Sequence, residues 1–302
     1  MALRSDIKVG FACNNRCVFC AQGQKRSEIG RVPPEELVQR MRSTYERGKG
    51  LVLTGGEPTI RADLVKLVEA ARRIGYSPIQ IQTNGRMLAY PGLVEKLLAA
   101  GVTEFSPALH GPTADVHDAL TRAPGSFDQT VAGIRNTVAS KRPVITNTVV
   151  AKGNLHCLAE TVKLLADLGV EQGQLAMVHP VGTAQEMYDE VVPRLDEAAP
   201  AVRDAVMQGR ARGMRVVVEA LPPCFLRGLE DAVVEAEIPE TTVVDLDGAP
   251  FAFSTWRRDE GKVKGPPCES CTRAERCEGP WREYPERQGW DGYVPYSDDS
   301  LG

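Results

Sequence analysis

Hydrophobic positions along the chain fall into two alternating patterns. The first is the short apolar, β-branched run: Ile7–Ala12, Leu51–Thr54, Pro78–Thr83, Thr103–Leu109, Val144–Val150, Gln174–Val178 and Met214–Glu219. These have the length and composition of strands. The second is apolar residues at three- and four-residue spacing, as in Pro33–Arg47, Asp63–Ile74, Gly92–Ala100, Phe127–Ala139, Leu155–Leu168 and Ala198–Arg212. That spacing puts Leu64, Leu67, Val68 and Ala71 on one helix face. Pro33 suits a first turn, and Gly101 and Gly169 suit helix ends. Strands separated by helices predict βαβ units and a parallel sheet. About six such units in a right-handed series predict an α/β fold, a partial (β/α)6 TIM-like barrel. In a barrel the working groups sit at the C-terminal ends of the strands.

After Leu221 the pattern changes, with Pro, Gly and Cys frequent and no long helix. Thr241–Leu246 and Pro250–Trp256 flank Asp247-Gly248, a hairpin signal. The reading is therefore a barrel domain over 1–220 and a small cysteine-rich hairpin domain over 221–302. The tail Ser297–Gly302 is expected to fray.

Composition narrows the function classes. The 302 residues carry a net charge of −4, with 25% charged and 42% hydrophobic. That balance lacks the basic excess of a nucleic-acid or membrane-surface binder. No apolar run is long enough to span a bilayer. Met1–Asp6 leads into a strand without an apolar signal region, so a cytoplasmic chain with reduced thiols is expected. Seven of the eight cysteines fall in two groups. In a reducing compartment such spacings point to metal or cluster ligation.

Cys13, Cys17 and Cys20 have C-x3-C-x2-C spacing just past the first strand. A 4Fe–4S cluster normally takes four cysteines, so three leave one iron open for chemistry. The motif, its place and the aromatic Phe19 before the third cysteine resemble the radical S-adenosylmethionine superfamily over residues 6–220. The resemblance implies that the open iron binds the amino and carboxylate groups of S-adenosylmethionine. One electron then yields a 5′-deoxyadenosyl radical, which takes hydrogen from a substrate. It also implies that the turn Gly55-Gly56-Glu57-Pro58 meets the amino group of S-adenosylmethionine. Thr83 and Asn84, which end the third strand, look like the family too. Ser106, Ala108 and His110 fall at period two on the fourth strand. Relatives often carry serine where this chain has Ala108. His110 is the candidate proton donor or acceptor near substrate. Arg122 resembles the family arginine that pairs with the cofactor carboxylate, Asn147 is a further cofactor contact, and His179 ends the strand near the adenine. His117 reads as helix surface or a cap, and Cys157 as a small core residue.

Cys268, Cys271 and Cys277 have C-x2-C-x5-C spacing, and Cys224 stands upstream. Four thiolates close a 4Fe–4S site or hold tetrahedral zinc. The segment resembles the SPASM and twitch auxiliary-cluster domains, although Trp281 stands where the SPASM pattern continues with a cysteine. The resemblance implies one auxiliary 4Fe–4S cluster used in electron transfer. The leading expectation is an enzyme that oxidises, cross-links or rearranges a small-molecule or peptide substrate, supplied with electrons by a donor such as flavodoxin or ferredoxin. A methyl- or sulfur-transferase and a non-catalytic iron–sulfur or zinc electron carrier are the alternatives.

Overall fold

The computed structural model describes residues 3–28, 30–46 and 49–297. The strands are β1 Leu3–Lys8, β2 Gly50–Thr54, β3 Ile79–Thr83, β4 Glu104–Pro107, β5 Ile145–Val150, β6 Gln172–Met177, β7 Arg215–Glu219, β8 Glu240–Val244 and β9 Phe251–Ala252. The longer helices are α1 Pro34–Thr44, α2 Leu64–Ile74, α3 Pro91–Ala100, α4 Ala114–Thr121, α5 Ser126–Ala139, α6 Leu158–Asp167, α7 Leu195–Ala211 and α8 Glu283–Gln288.

One sheet runs β4-β3-β2-β1-β8-β9 and the other β5-β6-β7. Parallel bridges at Phe105–Val144 and Ala108–Asn147 join β4 to β5. The result is a parallel arc from β8 through β1 to β7, with only β9 antiparallel. Among the described residues no pairing closes β7 onto β8, so the barrel is partial. Alternation along the strands sends one set of side chains to the outer helices. Ile7, Leu51, Leu53, Ile79, Ile81 and Phe105 are buried there against Leu37, Leu64, Leu67 and Leu97. The other set faces inward and is polar: Asp6, Gln80, Gln82, Glu104, Ser106 and Asn147 border a chamber of about 510 Å³. The interior is thus a polar cavity and not the layered apolar fill of a packed barrel.

Several element boundaries differ from the sequence expectation. The first strand is Leu3–Lys8, because Val9–Ala12 leave the sheet to meet the turn after β2. The fourth strand stops at Pro107, so His110 lies beyond it and does not share its face. Helix α4 has no counterpart among the helices read from periodicity, although it is where His117 reads as helix surface or a cap. The second hairpin strand ends at Ala252, and Phe253–Trp256 form a helical turn. The first hairpin strand, β8, is added to the barrel sheet beside β1, with Leu3 opposite Glu240. Arg47 and the tail from Asp298 lie outside the described residues.

Helix α5 is started by a residue from the previous helix. The Asp118 carboxylate accepts from Gly125 N at 2.6 Å, Ser126 Oγ at 2.8 Å and Phe127 N at 2.8 Å. The two N–H groups are donors that a helix N-terminus leaves without partners. Burial pushes the Asp118 carboxyl up, but the bonds from Phe127, Ser126 and Gly125 outweigh it and hold it below the usual range. Asp118→Ala is expected to cost about 1–2 kcal/mol at pH 7. A carboxyl depressed by folding stabilises above its unfolded pKa of about 3.9, and that contribution fades as pH falls through the folded value. Urea unfolding should therefore show the gap between variant and parent narrowing below pH 4.

Candidate functional site

The three N-terminal cysteines sit on a loop pinned from four sides. Arg16 N and Val18 N donate to Thr121 O and Leu120 O at 2.8 and 2.9 Å, which ties the loop to the end of α4. Arg26 Nη2 donates to Cys13 O at 3.1 Å. Thr183 N donates to Cys20 O at 2.9 Å. Phe19 is buried, edge-on to His110 with centroids 4.7 Å apart. All three thiols are half-buried and free of disulfides. Burial, followed by the charges of Cys13 and Cys20, pushes the Cys17 thiol up to about 12. Burial also raises Cys13. Cys13 and Cys17 resist ionisation by themselves, and a cationic metal centre reverses that balance.

The glycines of the Gly55-Gly56-Glu57-Pro58 turn serve the same loop. Gly56 N donates to Gly10 O at 2.7 Å and Glu57 N to Ala12 O at 2.8 Å. A Cβ on Gly56 would lie 2.3 Å from Ala12 O, and one on Gly55 2.4 Å from Gly10 O. The close approach that glycine permits here is therefore to the cysteine loop's own backbone.

Glu57 is 2% exposed. Its Oε1 accepts from Thr59 N at 2.9 Å, from Thr83 Oγ1 at 2.7 Å and from the Thr59 hydroxyl, and Oε2 accepts from Asn84 N at 2.6 Å. Burial pushes this carboxyl up and the four donors oppose it. With both oxygens engaged, the side chain ties the β2 turn to the β3 turn, and the turn's backbone carbonyls are what remain to accept from an ammonium. Pro58 opens the short helical turn that supplies Thr59 N. Asn84 Nδ2 donates to Asn14 Oδ1 at 2.7 Å, inside the cysteine loop. Sequence reading missed Arg86. Its guanidinium reaches Asn14 O, Asn15 Oδ1 at 2.9 Å and Gln129 Oε1 at 2.6 Å, so it clamps the loop to α5. Its only sequence signal is its place two residues after Asn84.

The remaining predicted residues do not converge on one point. Ser106 and Asn147 border the inner chamber, and Asn147 Oδ1 is buried without a partner. His110 is buried, its Nδ1 accepts from Val149 N at 3.2 Å, and burial followed by His117 holds the ring neutral. Only Nε2 is left for exchange of a proton. His117, expected on a helix surface or at a cap, is fully buried and stacked on His110; its Nδ1 accepts from His110 N, and burial pushes it down to about 4. Arg122 is exposed at the end of α4, with φ 49°, and its Nη2 meets Met187 Sδ at 3.2 Å. His179 lies against the C-terminal region, stacked on Trp281 with centroids 3.9 Å apart. Cys157 is buried, as expected of a core residue, and burial raises it to about 11.

Cys224, Cys268, Cys271 and Cys277 border one cavity of about 790 Å³. Burial, then Cys277, Cys268 and Cys271, push the Cys224 thiol up to about 12, so the other three thiols lie within electrostatic reach of Cys224. Gly279 N donates to Cys277 Sγ at 3.3 Å. Among the described residues no three metal-binding side chains are gathered closely enough to hold a single ion. The fit of both groups to a cluster rests on the thiol donor sets.

A partial parallel barrel with a cysteine loop at the C-terminal end of its first strand defines a class of enzyme. Residues 7–171, more than half of the chain, match the model of the Radical SAM superfamily. The chain belongs to that superfamily, whose named relatives are enzymes. It is 34% identical over 184 residues to the AdoMet-dependent heme synthase of Methanosarcina barkeri, covering 60% of this chain and 52% of that protein. It is 31% identical over 186 residues to a probable GTP 3′,8-cyclase of Saccharolobus solfataricus, covering 61% and 59%. The chain thus spans between half and three-fifths of the length of these curated relatives. In fold it is similar to anSMEcpe with bound AdoMet, with TM-score 0.69, 15% identity and coverage of 97% of this chain and 92% of that one. Streptococcus suis SuiB bound to precursor peptide SuiA gives TM-score 0.67 at 16% identity, covering 98% and 75%. No helix of the described residues is long and apolar enough to cross a membrane.

Proposed function

We propose that the chain cleaves S-adenosylmethionine reductively and uses the radical to abstract hydrogen from an organic substrate, which is then oxidised, cross-linked or rearranged. The observation that carries this reading is the cysteine loop itself. Three cysteines lie on one loop, and the Gly55-Gly56 turn is packed directly on the backbone of Gly10–Ala12 that leads into it. Cys13, Cys17 and Cys20 would hold a 4Fe–4S cluster whose fourth iron is open to the cofactor, and that cluster supplies the cleaving electron when bound. The chain's own residues do the positioning. Glu57, Asn84 and Arg86 fix the loop over the barrel mouth. The carbonyls of Gly55 and Gly56 accept from the cofactor's ammonium, and the resemblance to the family assigns Arg122, Ser106, Asn147 and Thr83 to its remainder.

The substrate is a small molecule or a peptide. The names of the relatives include a heme synthase and a GTP cyclase, and one neighbour in fold carries a peptide. Cys224, Cys268, Cys271 and Cys277 would hold an auxiliary 4Fe–4S cluster that carries electrons, and a flavodoxin or ferredoxin would supply them.

Anaerobically reconstituted protein should bind about eight irons, four for each cluster. With dithionite and S-adenosylmethionine it should release 5′-deoxyadenosine, read by liquid chromatography. Absence of that product from iron-loaded protein would overturn the assignment. About four irons with stoichiometric zinc would assign the C-terminal cysteines to zinc and leave the first site standing.

A further inference from the structure

One five-residue segment touches the backbone of Cys20 at one end and, at the other, Trp281, four residues after Cys277. Residues 179–183 follow β6. At the near end, the His179 ring stacks on the Trp281 indole, with centroids 3.9 Å apart and planes 10° from parallel. At the far end, Thr183 N donates to Cys20 O at 2.9 Å. Between them Val181 N donates to His179 O at 2.8 Å, which closes a tight turn. Gly182 adopts φ +59°, and a Cβ there would lie 2.6 Å from Cys20 O and 2.7 Å from Ala21 O. Backbone thus packs on backbone, and the segment cannot move without moving the cysteine loop.

Trp281 is bound into the C-terminal group just as firmly. It follows Cys277 by four residues and is 4% exposed. An antiparallel bridge pairs it with Lys262, and Val263 N donates to Pro280 O at 3.1 Å. Lys262 Nζ stands 5.3 Å over its ring. That buried cation is held by Glu235 at 2.8 Å and by Glu278, next to Cys277, at 3.4 Å. On the barrel side, Tyr284 Oη donates to Val178 O at 2.9 Å, and His179 Nε2 faces Glu283 Oε2 at 3.6 Å. The ring pair is therefore clamped from the C-terminal side, and toward the cysteine loop it continues into the turn that ends on Cys20.

We propose that Trp281 and His179 are positioning residues that couple the two cysteine sites: the C-terminal site holds Trp281, Trp281 holds the turn at 179–183, and the turn holds the loop bearing Cys20. This rests on the reading that both cysteine groups bind metal clusters. The coupling is a free energy shared between two sites, so it acts in both directions. Occupancy of the C-terminal site tightens the cofactor site, and loading the first cluster protects the C-terminal one.

The test uses the full chain and two independent readouts. Hydrogen exchange followed by mass spectrometry should show residues 17–23 and 181–183 exchanging about 10-fold faster in Trp281→Leu than in the parent, with Trp281→Phe restoring most of the protection. A ring that merely fills space would loosen its own neighbours at 261–263 and 282–284 and leave 17–23 unchanged, and that outcome overturns the proposal. In calorimetry with S-adenosylmethionine, Trp281→Leu should weaken binding about 5–10-fold. The Cys268→Ser/Cys271→Ser variant should weaken it by a similar factor, and the combined variant by no more than either alone. Factors that multiply would show independent effects and also overturn it. If the parent binds no iron at Cys13, Cys17 and Cys20, the functional reading fails, while the exchange comparison still decides the contact.

Discussion

Cys17→Ala will leave reconstituted protein with about half of its iron and no capacity to make 5′-deoxyadenosine. Cys17 is the middle of the three loop cysteines, and both of the others act on its thiol. Its loss leaves two ligands for a cluster that already lacks a fourth, which is too few to hold it. The companion variant Cys268→Ala/Cys271→Ala should also lose about half of the iron, but from the other site. It should still release 5′-deoxyadenosine under dithionite, because the open-iron site is intact. The comparison is informative only in folded protein, since cluster binding contributes folding free energy to a small cysteine-rich region. Circular dichroism and iron content must therefore be read on the same sample. A folded companion variant unable to cleave S-adenosylmethionine at all would show that the C-terminal site is required for cleavage itself. The coupling through Trp281 predicts a weaker cofactor affinity in that variant, not a loss of cleavage at saturating S-adenosylmethionine.

Glu57→Ala should lower global stability by about 3–5 kcal/mol, the sum of two buried backbone N–H groups and two hydroxyls left without their acceptor. The affected donors are Thr59 N, Asn84 N and the hydroxyls of Thr59 and Thr83. Hydroxyls rotate to new partners and the two N–H groups cannot, so the N–H groups account for most of the loss. Glu57→Gln should lose less. Its carbonyl oxygen replaces Oε1 for three donors, while its amide presents hydrogens to Asn84 N. Chemical unfolding of the metal-free chain measures the effect without the cofactor. A loss under 1 kcal/mol for Glu57→Ala would show that water or a shifted backbone satisfies these groups.

Local pattern was enough to read the alternation of strands and helices, because two-residue and three-to-four-residue periodicities are properties of a short stretch of chain. The cysteine loop and the glycine turn were legible for the same reason: their chemistry is carried by spacing within ten residues. The second cysteine group was legible as a set of four thiols, since Cys224 and the C-x2-C-x5-C run flank the hairpin signal at Asp247-Gly248.

What only the tertiary structure decided depends on contacts between residues far apart in sequence. The pairing of β8 with β1 joins residues more than 230 positions apart, and nothing in the composition of Glu240–Val244 names its neighbour. Glu57 reads as part of a cofactor-facing turn, and only the fold shows that its oxygens also hold the β3 turn. His110 reads as a titrating group until its burial against Phe19 and His117 is known, because the environment and not the residue type sets a histidine's pKa. Arg86 and Trp281 carry no motif, and their roles come from the elements the fold brings against them. Sequence thus determined the elements and the ligand types, which are local properties. The fold determined which polar groups are already satisfied and which remain free for chemistry, because hydrogen-bond partners and burial exist only once the chain has closed on itself.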